Sequence, residues 1–117
     1  MDDPFLRLPL PDEPYDIIVS TYALHHLPDP DKRRAVAGMR ASLRVGGRIA
    51  IGDTMFRDEA HKQQALREYA DLEDEYQPLL TTFPGMFREE GLELELHQVG
   101  DLVWILVAHR GSGRPAP

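Results

Sequence analysis

The segment Tyr15–Ser20 constrains this chain most. Ile17, Ile18 and Val19 are consecutive β-branched residues, so the strand they predict is apolar on both faces. Such a strand belongs inside a parallel sheet, with a neighbour on each edge. The residues before it supply no neighbour, because Pro4, Pro9, Pro11 and Pro14 break any hydrogen-bonded ladder there. An uncovered apolar edge is a template for pairing. The chain therefore reads as the second half of a doubly wound α/β domain. A missing N-terminal half, or a second chain, is expected to cover strand 15–20.

The rest of the chain fits that class. Residues Thr21 to Leu27 read as a loop or one helical turn, ended by Pro28 and Pro30. A helix follows to about Arg44, capped by Asp29 or Asp31. Ala35, Val36, Met39 and Leu43 form its apolar stripe, with Lys32, Arg33, Arg40 and Arg44 mostly off it. Gly46 and Gly47 are expected to stop the helix and turn the chain into strand 48–52, ending near Asp53. Strand, helix and strand make one βαβ unit, with parallel strands and a right-handed crossover.

A second helix is predicted from about Asp58 to Gln77. Its stripe is Ala65, Tyr69, Leu72 and Tyr76, its solvated face the acidic run Asp71–Glu75, and Pro78 ends it. A short helix is expected from Thr81 or Thr82 to Gly91. The strict alternation over Leu92–His97 marks a strand with one wet face. Leu102–Ala108 is apolar throughout and is expected to be buried on both faces, with Trp104 in the core. The order places 102–108 between 48–52 and 92–98, antiparallel to both. Residues 1–110 thus read as one partial domain and 111–117 as a disordered tail.

Composition excludes several functions. The 117 residues carry a net charge of −7, which argues against nucleic acid as a partner. No apolar run approaches the ~20 residues of a membrane span, and the acidic start Met1-Asp2-Asp3-Pro4 does not read as a leader. Zero cysteines exclude disulfides, thiolate metal sites and a cysteine nucleophile, and fit a cytoplasmic protein. His25 and His26 precede Asp29 and Asp31, but Pro28 and Pro30 leave no helical pair of ligands there. No distal ligand suggests itself, so no metal site is expected. His61, His97 and His109 read as surface or strand positions.

Three blocks in order carry a resemblance: Tyr15-Asp16-Ile17-Ile18-Val19-Ser20, then Tyr22-Ala23-Leu24-His25-His26-Leu27, then Leu43-Arg44-Val45-Gly46-Gly47-Arg48-Ile49 with Asp53. Together they resemble class I S-adenosylmethionine-dependent methyltransferases, over roughly residues 3–110. Within that class, Asp53-Thr54-Met55-Phe56 and the double histidine are similar to a group of small bacterial methyltransferases of unsettled substrate. The resemblance implies a Rossmann-like sheet of which this chain supplies strands in the order 4-5-7-6, the seventh antiparallel. It implies S-adenosylmethionine as cofactor and a small-molecule methyl acceptor. The family's Gly-rich loop and the acid that holds the ribose hydroxyls have no counterpart here.

On the same resemblance, Asp3 (or Asp2) matches the acid that caps the adenine amino group. Ser20, Thr21 and Tyr22 fall at the cofactor-binding end of the fourth strand. His25 follows in the loop where cofactor and acceptor meet, and is the best general base on offer. His26 reads as structural. Asp53 reads either as a rim residue of the site or as the cap of the next turn. The first reading is thus a methyltransferase half, from a truncated gene, a misplaced start or a split enzyme. The alternative is a non-enzymatic module that docks through strand 15–20, with a dehydrogenase half third.

Overall fold

The computed structural model describes residues 13–111. Strand β1 (Tyr15–Thr21) leads through a 3-10 turn (Leu24–His26) into α1 (Asp29–Ala41) and β2 (Leu43–Thr54). Helices α2 (Glu59–Glu68) and α3 (Phe83–Glu89) follow, then the hairpin β3 (Glu93–Gln98) and β4 (Val103–His109). The sheet order is β1-β2-β4-β3, with β1 and β2 parallel and β4 antiparallel to both its neighbours. This is the order read from the sequence and the order that the family resemblance implies. Asp3 and residues 112–117 lie outside the described residues. Among the described residues no helix is long and apolar enough to cross a membrane.

The register assigns each strand residue to a face. Ile18, Ile49, Ala108 and Leu94 form one row across the sheet, and Ser20, Ile51, Leu106 and Leu96 the next. These rows face α1 and α3, and with Val36, Met39, Phe83 and Phe87 they build the core. Each fully buried side chain of this size contributes about 1.5–3 kcal/mol. Phe83 and Phe87 meet edge to face at 5.1 Å. The opposite face carries Ile17, and the row Val19, Ala50, Val107 and Glu95.

That second face corrects two expectations. β1 is not buried on both sides, since Ile17 is 55% and Val19 64% exposed. β4 buries Leu106 and Ala108 completely but leaves Val103, Ile105 and Val107 half-buried, and Trp104 packs half-buried against the core. No described residue forms a layer over this side. The outer edge of β1 likewise has no strand partner among the described residues.

Three boundaries differ from the expected ones. α1 ends at Ala41, and its N-cap is Pro28, whose ring makes no side-chain cap, so Asp29 and Asp31 lie inside its first turn. There they favour the positive end of the helix dipole. Gly46 and Gly47 lie within β2, where pairing moves from Tyr15↔Leu43 to Ile17↔Arg48, a bulge on the β2 side. Gly46 takes φ +83°, and a Cβ on Gly47 would lie 2.8 Å from the Asp16 carbonyl oxygen, so the bulge requires both glycines. α2 ends at Glu68, and residues 69–78 run as irregular backbone. Asp71, Glu73, Asp74 and Glu75 would crowd like charges on adjacent turns of a helix, which disfavours its continuation. Tyr69 and Tyr76, expected in the core, are therefore exposed.

Candidate functional site

The carboxyl ends of β1 and β2 share one rim, where open α/β sheets place ligands. Ser20 sits on the core face of β1 at this rim, buried, its Oγ without a hydrogen-bond partner among the described residues. A buried hydroxyl left unpaired costs about 1–3 kcal/mol, which marks the spot as one that a polar ligand group fits. Thr21 is exposed beside it. Tyr22 leaves the strand at φ +53°, a left-handed conformation that a non-glycine residue adopts at a cost of about 1–3 kcal/mol. Its amide donates to the Gly52 carbonyl at 2.9 Å, which holds the turn against β2.

That turn delivers His25 to Asp53, the last core-facing residue of β2. Asp53 is completely buried. Its Oδ1 lies 3.0 Å from His25 Nδ1, and its Oδ2 accepts from the His25 amide at 3.2 Å. The Thr54 amide donates to Asp53 Oδ1 at 2.8 Å. Burial pushes the Asp53 carboxyl above its ordinary value, and His25 and these amides pull the other way. The carboxylate thereby selects the ring orientation in which Nδ1 faces inward and Nε2 faces the cleft.

Residues 69–78 form a strap across this cleft. The Tyr76 amide donates to the His25 carbonyl at 2.9 Å, and Glu75 Oε2 lies 3.0 Å from His25 Nε2. Two lysines fasten the strap from below. Lys62 reaches Asp74 at 3.0 Å and donates to the Glu75 carbonyl. Lys32, 1% exposed, donates to the carbonyls of Tyr76 and Leu27, with Asp29 at 3.6 Å. Burial lowers the Lys32 pKa, and Asp29 opposes that shift. Lys32 was expected off the apolar stripe; its buried ammonium is instead the bolt between α1 and the strap. Tyr22, His25, Thr54, Leu72, Glu73 and Glu75 are among the residues around a cleft of about 290 Å³.

The fold thus gathers Ser20, Thr21, Tyr22 and His25 on one rim, while Asp3 lies outside the described residues. Of the two readings left open for Asp53, the geometry is that of a rim residue, bonded to His25. Sequence reasoning missed Glu75 and Lys32. The signal for Glu75 was the density of acids after Glu68, which disfavours a continued helix; Lys32 carried none, because only the strap makes its burial tolerable.

Comparisons with known proteins agree with this architecture. A family described as a methyltransferase domain matches residues 2–47. A curated relative, an uncharacterized methyltransferase of Geobacillus thermodenitrificans, is 39% identical over 92% of this chain and 54% of its own length. The chain spans about half the length of the curated relatives it matches. An O-methyltransferase family protein from Burkholderia thailandensis superimposes with a TM-score of 0.70 at 17% identity, over 88% of this chain and 32% of that one. Human N-acetylserotonin methyltransferase in complex with S-adenosylmethionine (SAM) gives 0.69 at 17% identity, over 95% and 33%. Sequence and fold both bear out the resemblance to class I S-adenosylmethionine-dependent methyltransferases, whose cofactor is S-adenosylmethionine. The sheet is the part of their Rossmann-like fold expected of a C-terminal half.

Proposed function

We propose, from this kinship with the class I methyltransferases, that the chain forms the acceptor-side half of an S-adenosylmethionine-dependent methyltransferase acting on a small molecule. The observation that carries the reading is His25, oriented by a buried carboxylate, with Nε2 turned to a cleft at the rim of the parallel strands. Bound there, the cofactor would supply an activated methyl group. Ser20 Oγ, Thr21 and Tyr22 would hold it along the rim, and Asp3 would take its adenine end. The protein's contribution is alignment and exclusion of water, with the strap as the wall of the cleft. Where the acceptor carries a proton, His25 Nε2 would remove it once Glu75 moves aside, and Asp53 would balance the imidazolium that forms.

The test is transfer of labelled methyl groups from S-adenosylmethionine to a panel of small hydroxyl, thiol and amine acceptors, with the chain alone and with the remaining half of a curated relative added. Activity that needs the added half, and that drops at least about 100-fold in His25→Ala, supports the reading. No transfer under either condition overturns it. The chain alone should bind the cofactor weakly, because residues 1–14 contain no glycine and so no counterpart of the family's Gly-rich loop. A low-micromolar dissociation constant, about −8 kcal/mol, would refute the half-site assignment.

A second reading rests on a different observation, the exposure of Ile17 and Val19 beside the bare edge of β1. In it the chain is a non-enzymatic module that docks through strand 15–20 on a second copy or a missing half. Stable association without methyl transfer would favour it.

A further inference from the structure

We propose that His25, His26 and Glu75 form a binding site for a divalent transition-metal cation, Zn2+ by ligand type. The three residues each bring one ligand atom into a cluster within 4.8 Å. Glu75 Oε2 lies 3.0 Å from His25 Nε2 and 3.6 Å from His26 Nδ1. Ligands at the ~2.0–2.1 Å bond lengths of a tetrahedral zinc centre are separated by about 3.3 Å, so the two distances straddle the required spacing. The two imidazoles stand 4.0 Å apart, tilted by 47°, rather than stacked flat.

The ring chemistry points the same way. His25 Nδ1 faces Asp53 Oδ1 at 3.0 Å, so in the neutral ring Nδ1 carries the proton and Nε2 a lone pair. That lone pair faces a carboxylate oxygen. Two lone pairs at this distance repel unless a proton or a cation lies between them. Asp53 then acts as the outer-shell carboxylate that commonly orients a metal-bound histidine. The site is also held from behind, with the His25 carbonyl bonded to the Tyr76 amide and the Glu75 carbonyl to Lys62. Three protein ligands leave a fourth tetrahedral position open, and both His25 and Glu75 border the cleft. The sequence hid this arrangement, because Glu75 lies 50 residues beyond His25 and only the strap unites them. His25 Nε2 cannot hold a cation and take a proton at once, so a bound cation would block the base role proposed above. The site itself stands on its geometry, independent of methyl transfer.

Isothermal titration of Zn2+ into the chelator-treated full chain at neutral pH, without cofactor, tests the proposal. One ion per chain should bind with a micromolar or tighter dissociation constant, undisturbed by millimolar Mg2+. Glu75→Gln and the exposed-site change His26→Asn should each weaken binding at least about tenfold, as should Asp53→Asn through the outer shell. Circular dichroism shows whether each variant remains folded, and His26→Asn, at an exposed side chain, is the variant least able to unfold the chain. Absence of a saturable site, or equal affinity in wild type and His26→Asn, would overturn it. Methyl transfer does not enter the readout, so failure of the catalytic reading leaves this result intact.

Discussion

The two faces of the four-stranded sheet are built from similar residues and meet opposite fates. On one face Ile49, Ile51, Leu106 and Ala108 are sealed beneath α1 and α3. On the other, Ile17 and Val19 stand exposed, and Val103, Ile105 and Val107 are only half-covered. A strand's apolar character on both faces is a statement about layers, and only one layer is present among the described residues. The exposed Ile17 and Val19 belong to β1, the strand whose outer edge has no strand partner among the described residues. The relatives, about twice as long as this chain, have the additional length from which a covering layer could come.

The largest test of this contrast is a pair of truncations. Phe87→Ala, in the sealed layer, should cost about 3–5 kcal/mol, whereas Val19→Ala on the open face should cost less than about 0.5 kcal/mol. Chemical denaturation of both variants measures the difference, and similar losses would mean that the second face is covered in solution. A charge placed on each face sharpens the comparison. Ile18→Lys drives an ammonium toward the core and should unfold the chain. Val19→Lys should leave the fold intact and reduce self-association, read by sedimentation over a concentration series. A wild-type chain that stays monomeric throughout would remove the pairing role of this side.

The buried lysine beneath the strap should show an intermediate effect. Lys32→Met leaves the Leu27 and Tyr76 carbonyls without their donor, and should cost about 1–3 kcal/mol. Hydrogen exchange should quicken first in residues 69–78. A uniform increase across the chain would contradict a local bolt. The smallest effect lies at the wet face of β3, where Glu95 Oε2 meets His109 Nε2 at 2.7 Å and the bond lowers the Glu95 pKa below its ordinary 4.5. A depressed carboxyl pKa adds stability that is present above 4.5 and is lost as pH falls through the folded value. Glu95→Gln should therefore lower the melting temperature slightly near neutrality and match the wild type in acid.

Local patterning made the architecture legible. The alternation of β3 and the apolar run of β4 specified the order of the hairpin strands, because an alternating strand suits a sheet edge and a continuously apolar one suits the interior. The glycine pair was misplaced. Its role is to permit a bulge against Asp16, and that contact exists only when β1 and β2 pair. The long second helix failed for a related reason, since Lys32, Lys62 and the His25 carbonyl offer the strap partners that a helical segment would not reach.

By itself, the sequence determined the sheet order and most of the element types, which follow from hydrophobic periodicity within short windows, while the candidacy of His25 came with the family resemblance. Only the tertiary structure decided which face of β1 is buried, that Asp53 orients His25, and that Glu75 joins them. Those outcomes depend on desolvation and on partners 28 and 50 residues from His25, which no local window contains.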